Sequence, residues 1–134
     1  MLTVDHVFKR YSDAGDALMD VSFHLEKGEM AFLTGHSGAG KSTLLKLIAA
    51  IERCSRGQLL GDGQNLNRLS DRQVPYLPRK LGLIFQDYKL LFDKTVFDNI
   101  ALPLVVAGVG SYEVARRVRA ALDKVGLLGK ENKY

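Results

Sequence analysis

The sequence predicts an α/β fold from three consecutive features, a buried strand, a glycine-rich loop and a helix, with antiparallel strands ahead of them. Residues 30–33, Met-Ala-Phe-Leu, are apolar throughout, as is typical of a strand covered on both faces of a sheet. Glycines cluster within residues 35–40, and residues 42–51 contain good helix formers without Gly or Pro. This order places the loop between the end of a strand and the start of a helix.

Length and composition set broad limits on the function. The 134 residues, 46% of them hydrophobic, suffice for one domain with its own core. No apolar run approaches the roughly 18 residues of a membrane-spanning helix, and the N-terminus lacks the layout of a secretory signal, so we expect a cytosolic chain unless a partner holds it elsewhere. The single cysteine, Cys54, does not indicate a disulfide or a metal site. The net charge of +4 mildly favours anionic partners without choosing among them.

Strand patterns are present on both sides of the loop. Residues 2–11 are β-prone, and residues 17–25 alternate between apolar and polar side chains, which predicts two antiparallel strands. Residues 57–63 predict a short hairpin because turn residues follow its first strand. Residues 81–85 predict a second buried strand.

Two helices are predicted in the last third of the chain. The first covers residues 96–102, and we expect it to end before Pro103 because proline interrupts helical hydrogen bonding. Ser111 can cap the second helix, whose apolar residues recur on one face. The predicted buried face consists of Val114, Val118, Ala121, Leu122 and Val125.

Residues 35–42 match the pattern G-x-x-x-x-G-K-S/T, in which successive backbone N–H groups converge on one anion. Gly35 and Gly40 allow backbone angles that a Cβ would forbid. Lys41 can reach the β- and γ-phosphates of a nucleotide, and the Ser42 hydroxyl can ligate Mg²⁺. The start of the following helix adds its N–H groups and dipole, so the sequence predicts a site for a magnesium-bound polyphosphate. The predicted phosphate contacts are Gly35, His36, Ser37, Gly38, Ala39, Gly40, Lys41, Ser42 and Thr43.

Together with two further stretches, the phosphate loop resembles the ATP-binding subunits of ABC transporters, and the resemblance covers essentially all 134 residues. Residues 9–11 resemble the family's A-loop, whose aromatic ring, here Tyr11, stacks on adenine. Residues 84–87 resemble the Q-loop, whose glutamine, here Gln86, meets Mg²⁺ and the attacking water. The resemblance implies a P-loop NTPase of ABC ATPase type, with an N-terminal antiparallel β subdomain and with ATP and Mg²⁺ as cofactors.

Residues 28–46 and 121–128 are similar to the cell-division members of this family. That similarity implies a homodimeric ATPase, peripheral on the cytoplasmic face of the bacterial inner membrane, that works with a transmembrane partner rather than moving a solute. The apolar residues after Gln86 either dock that partner or belong to an ordinary core, and both interpretations stay open. They are Tyr88, Leu90, Leu91 and Phe92. We expect no nucleic-acid binding, since the arginines of the last helix form a solvated face.

Several parts of the family's site are not among residues 1–134, namely the L-S-G-G-Q signature and the strand ending in Asp-Glu that supplies the general base. We therefore expect these residues to be the N-terminal part of a single ABC nucleotide-binding domain, with an incomplete core sheet. Lys41 and Gln86 are then the catalytic residues present, and this chain alone is expected to be inactive in hydrolysis. An open sheet edge also predicts a poorly stable, aggregation-prone product.

Other functions are compatible with parts of this pattern. An ATPase of a lipoprotein-release or export transporter would share every motif and differ only in its membrane partner. A non-hydrolysing nucleotide-binding module would bind ATP without turnover. A small P-loop kinase is disfavoured by the spacing of Tyr11 from the loop and by the Gln86 stretch.

Overall fold

The computed structural model describes residues 1–69 and 81–134. The chain divides into two compact units, Met1–Leu83 and Ile84–Tyr134. No helix among the described residues is long and apolar enough to cross a membrane. The predicted phosphate loop belongs to the first unit, and Gln86 belongs to the second.

A four-stranded antiparallel sheet forms the first unit, with strand order β2-β1-β3-β4. Its strands are β1 (Leu2–Tyr11), β2 (Gly15–Leu25), β3 (Arg56–Gly61) and β4 (Gln64–Asn65). The two predicted N-terminal strands and the predicted hairpin at residues 57–63 are confirmed. Tyr11, the last residue of β1, pairs with Gly15 of β2, and this pairing restrains its backbone at the end of the sheet.

An irregularity in β1 keeps its valines on the core side. Val4 and Val7 are both buried, although strict alternation would place them on opposite faces. His6 between them has a φ of +46°, and the pairing with β2 changes register between the two valines. The extra residue of this bulge therefore returns Val7 to the buried face.

Helix α1, Lys41–Ile48, packs its apolar side against this sheet. Leu44 and Leu47, which are 3% and 1% exposed, share one core with the strand valines. The helix ends three residues earlier than predicted. Ala50 has a φ of +54°, and the N–H groups of Ile51 and Glu52 both return to the Lys46 carbonyl, which closes the last turn.

The two predicted buried strands, residues 30–33 and 81–85, are not formed. Met30 and Phe32 are 81% and 84% exposed, and Ile84 is fully exposed. A buried strand needs a neighbouring strand that satisfies its N–H and C=O groups. The described residues place no strand beside either segment, so the strand predictions were wrong for this structure.

The second unit is built from helices α2 (Val96–Val106) and α3 (Ser111–Lys124). Their shared core contains Ala101, Val114, Val118 and Leu122. Ala121 and Val125, which were predicted on the same buried face, are exposed. The buried stripe on α3 repeats every four residues from Val114, and this spacing leaves Ala121 beside the stripe, while α3 has ended before Val125.

Helix α2 continues through Pro103, contrary to the prediction that it ends before this residue. A proline inside a helix removes one N–H donor and costs about 3 kcal/mol. Two features of α2 oppose this cost: the Thr95 hydroxyl accepts the Asp98 N–H at 3.1 Å, and Ala101 is buried against α3. Ser111, predicted to cap α3, is instead its first helical residue, because Gly110 occupies the cap position.

Candidate functional site

The glycine-rich loop leads directly into α1 and uses left-handed backbone conformations. Gly38 and Gly40 have φ values of +81° and +98°, a region that side chains rarely adopt. A Cβ on Gly40 would lie 2.5 Å from the Ala17 carbonyl oxygen, whereas a Cβ on Gly38 would meet open space. The predicted need for glycine at residue 40 is thus confirmed, and Gly38 shares its conformational requirement.

At Gly35 the structure shows a close contact across the loop instead of the predicted backbone angle. Its φ lies outside the left-handed region, so the predicted forbidden backbone angle was wrong. A Cβ at this position would lie 3.1 Å from the Ala39 Cβ and 3.9 Å from Lys41 Nζ. The two ends of the loop therefore approach each other closely at Gly35. A Cβ at this position would require Ala39 to shift by a few tenths of an ångström.

The N-terminus of α1 has no side-chain cap. Gly40 is the cap residue, and the first turn of the helix contains no acidic residue. The first N–H groups of a helix have no acceptor within the helix, and the dipole makes this end positive. Together with the left-handed residues Gly38 and Gly40 that precede it, this uncapped end of the helix suits an anion.

Lys41 lies at the start of the same helix and folds back over the loop. Its Nζ donates hydrogen bonds to the carbonyl oxygens of Gly35 at 2.5 Å and His36 at 2.8 Å. Both acceptors are neutral, so these bonds leave the positive charge of the ammonium uncompensated. The Ser42 hydroxyl follows directly and is exposed. His36 takes part through its backbone carbonyl, which also accepts the Ala39 N–H at 3.1 Å.

Tyr11, at the end of β1, reaches the residues that follow α1. Its hydroxyl donates a 2.5 Å hydrogen bond to Glu52 Oε2. This bond raises the pKa of Tyr11 and lowers the pKa of Glu52, so the phenol stays protonated and the carboxylate stays charged. Lys9 Nζ lies 5.0 Å from the centre of the Tyr11 ring. Lys9 and Lys46 also pair with the Glu52 carboxylate, at 3.6 and 3.5 Å.

Sequence reasoning missed Glu52 as a neighbour of the site. The residue follows the helix after the loop and belongs to none of the three recognised stretches. Only the chain reversal at Ala50 brings Glu52 back toward β1, and a left-handed alanine has no reliable sequence signal.

Gln86 lies in the second unit, in an exposed turn after residue 85. Its neighbour Asp87 pairs with Lys89 at 2.6 Å, and the hydrogen bond from this lysine lowers the pKa of the Asp87 carboxyl group. Ser42 belongs to the first unit, so the magnesium site predicted from Ser42 and Gln86 stays a prediction.

The apolar residues after Gln86 are exposed. Tyr88 and Phe92 are 79% and 88% exposed, and Leu90 and Leu91 are about half exposed. Asn99 of α2 fixes this segment, because its side chain accepts the Leu91 N–H at 2.8 Å and donates to the Leu91 carbonyl at 3.0 Å. The two interpretations, ordinary core and docking surface, therefore stay predictions for these four residues.

Comparison with known proteins identifies ATP-binding proteins of one family. The sequence model described as ABC transporter matches residues 18–134. Over all of its 134 residues the chain is 55% identical to the cell division ATP-binding protein FtsE of Escherichia coli K12. The match covers 60% of that protein. The chain is 44% identical to the methionine import ATP-binding protein MetN 1 of Listeria monocytogenes, covering 100% of this chain and 40% of that protein.

A solved structure extends the likeness to the fold. The dimeric, post-hydrolysis ATP-binding cassette MJ0796, bound to ADP and Pi, superposes with a TM-score of 0.83 at 29% identity. The match covers 92% of this chain and 56% of the cassette. The chain thus spans about 60% of the length of the first curated relatives it matches.

Proposed function

Because this chain belongs to the ABC transporter family, we propose that it is the nucleotide-binding part of an ABC-type ATPase and that it binds Mg-ATP through residues 35–43. The observation that supports this proposal is the uncapped start of α1 behind a loop with two left-handed glycines. Such an arrangement directs backbone N–H groups and a helix dipole at one anion. The matched ABC cassette carries ADP and Pi, which is consistent with the same ligand class.

The residues of the proposed site have distinct roles. Lys41 exchanges its two loop carbonyls for the β- and γ-phosphates, which compensates its charge. Tyr11 offers an aromatic face to adenine, and Ser42 and Gln86 are the proposed protein ligands of Mg²⁺. When bound, Mg²⁺ neutralises charge on the phosphate oxygens. Hydrolysis needs a general base that residues 1–134 do not supply in the family's pattern.

Replacing Tyr11 with Ala is expected to weaken Mg-ATP binding while leaving Mg-tripolyphosphate binding unchanged, because only ATP has a base to stack. Stacking of a base on an aromatic side chain contributes about 1–3 kcal/mol, so we expect a loss of roughly 5- to 150-fold. Isothermal titration calorimetry of the purified protein with each ligand measures both affinities. Tyr112→Ala, at a residue that is 84% exposed on α3, is the matched control. An equal loss for both ligands would mean that Tyr11 acts on the fold instead of on adenine.

We further propose that the protein acts in bacterial cell division, with a transmembrane partner of the FtsX type and as a homodimer on the cytoplasmic face of the inner membrane. The similarity to FtsE supports the cell-division assignment. The exposed segment 88–92 supports a docked partner, since aromatic and aliphatic side chains of this size are common anchors of interfaces.

A transporter ATPase is the second candidate, because the chain is also similar to an import ATP-binding protein. The two functions differ in the membrane partner, so copurification with an identified FtsX-type protein separates them. We expect Phe92→Ala to reduce the yield of that partner severalfold, while Tyr134→Ala, which removes another exposed aromatic side chain of the same unit, leaves it unchanged. Recovery of a solute permease in place of the FtsX-type protein would establish the transporter function.

A non-hydrolysing nucleotide-binding module is the remaining alternative. It shares the ATP affinity of the proposed ATPase and differs in turnover. Phosphate release at saturating Mg-ATP, measured with the complete product of the gene and its membrane partner, distinguishes the two, because a binding module yields no release above the background of a Lys41→Ala variant.

A further inference from the structure

The carboxylate of Glu52 contacts three groups, the Tyr11 hydroxyl and the ammonium groups of Lys9 and Lys46. Its Oε2 accepts the Tyr11 hydroxyl at 2.5 Å and lies 3.6 Å from Lys9 Nζ, and its Oε1 lies 3.5 Å from Lys46 Nζ. The side chains of Glu52 and Lys9 are only 25% and 16% exposed. Partial burial makes these interactions stronger than those of a solvated surface pair.

We propose that Glu52 is a positioning residue that fixes the Tyr11 ring in the orientation required for adenine, an inference that rests on the proposed nucleotide site. Tyr11 is the last residue of β1, where strand pairing restrains the backbone but not the ring. The bond to Glu52 restrains the far end of the side chain at its hydroxyl. A ring held in advance loses less conformational entropy when a base stacks on it.

Lys9 defines which face of the ring remains for a base. Its ammonium lies 5.0 Å from the ring centre and also pairs with Glu52, so the same carboxylate holds both the ring and the cation on one of its faces. An adenine is then left with the opposite face. Glu52 therefore restrains the ring, whereas Lys9, whose Nζ also donates to the Arg53 carbonyl at 2.8 Å, covers one of its faces.

The cluster also ties the adenine platform to the phosphate site. Lys46, which pairs with Glu52, belongs to α1, the helix whose first turn is the proposed phosphate site. A hydrogen bond with Thr43 of that first turn lowers the pKa of the Tyr11 phenol, against the larger raising effect of Glu52. Through Lys46 and Glu52, one helix therefore joins the proposed phosphate site to the Tyr11 side chain.

The test compares Mg-ATP with Mg-tripolyphosphate in two variants of Glu52. Glu52→Ala removes the acceptor and is expected to weaken Mg-ATP binding about three- to tenfold, while the affinity for Mg-tripolyphosphate stays unchanged. Glu52→Gln retains an oxygen that accepts the phenol and is expected to restore most of the lost affinity. Glu26→Ala, which removes an exposed carboxylate paired with His24, is the control and should alter neither ligand.

A Tyr11→Phe background shows whether Glu52 acts through the tyrosine. In that background Glu52→Ala is expected to have no further effect on Mg-ATP, since the hydroxyl that it holds is gone. A further loss there, or an equal loss for Mg-tripolyphosphate in the single variant, would overturn the positioning role. If Tyr11→Ala reduces ATP affinity but Glu52→Ala does not, only the positioning role fails. If Tyr11→Ala has no effect, the proposed adenine site fails first.

Discussion

A Lys41→Ala variant is expected to bind Mg-ATP about 100-fold more weakly than the wild-type protein, a difference of about 2.7 kcal/mol. The ammonium is held over the loop by two neutral carbonyls, and a polyphosphate offers it anionic oxygens instead. Because the alanine removes this charge from the phosphate side of the site, Mg-tripolyphosphate should lose as much affinity as Mg-ATP. Titration calorimetry with both ligands measures the two losses.

The fold should survive this substitution, since both hydrogen bonds of Lys41 are made to carbonyls of its own exposed loop. Lys27→Ala, which removes an exposed lysine from the turn after β2, is the matched control for net charge. We expect this control to bind both ligands like the wild-type protein. Unchanged Mg-ATP affinity in Lys41→Ala, at a preserved circular dichroism spectrum, would show that the phosphates bind elsewhere.

A Gly40→Ala variant is expected to lose both stability and nucleotide binding, whereas Gly38→Ala should lose much less stability. Both positions have a left-handed backbone, which costs a residue with a Cβ about 1–2 kcal/mol. Only at Gly40 does the added Cβ collide with rigid backbone, because it would lie 2.5 Å from the Ala17 carbonyl oxygen of β2. This overpacking adds about 1–3 kcal/mol.

The two glycine variants separate the cost of the left-handed backbone from the cost of the collision with β2. Urea denaturation should give a clearly lower midpoint for Gly40→Ala than for Gly38→Ala, and Mg-ATP titration should fail for Gly40→Ala because the start of α1 has moved. Equal midpoints would mean that the contact between the loop and β2 is absent in solution.

The sequence predicted the parts of this fold that depend on local patterns. Alternation and turn residues were sufficient for β1, β2 and the hairpin, and the pattern ending in Lys41 and Ser42 was sufficient for the loop and for α1. The strands expected at residues 30–33 and 81–85 depend on neighbouring strands, which local sequence does not specify. The sequence showed that these two segments are apolar, but it did not show whether a neighbouring strand pairs with them.

Other differences arise from tertiary contacts that override local preference. Pro103 remains within α2 because the helix is capped at Thr95 and buried at Ala101, and neither effect is visible at the proline itself. At Gly35 the predicted backbone angle is absent, and the close approach to Ala39 found there depends on how the loop folds. Glu52 belongs to no motif, and the backbone reversal that brings it to Tyr11 depends on the left-handed Ala50.

The central claim is that the N–H groups at the start of α1 bind the phosphates of ATP. Amide chemical shifts of the ¹⁵N-labelled protein, recorded during titration with Mg-ATP and with Mg-tripolyphosphate, test this claim at the atoms concerned. We expect large shifts at Gly40, Lys41 and Ser42 with both ligands, and none at the hairpin residues Asp62 and Gly63. Binding without shifts at these three amides, or with the largest shifts in the hairpin, would contradict the account.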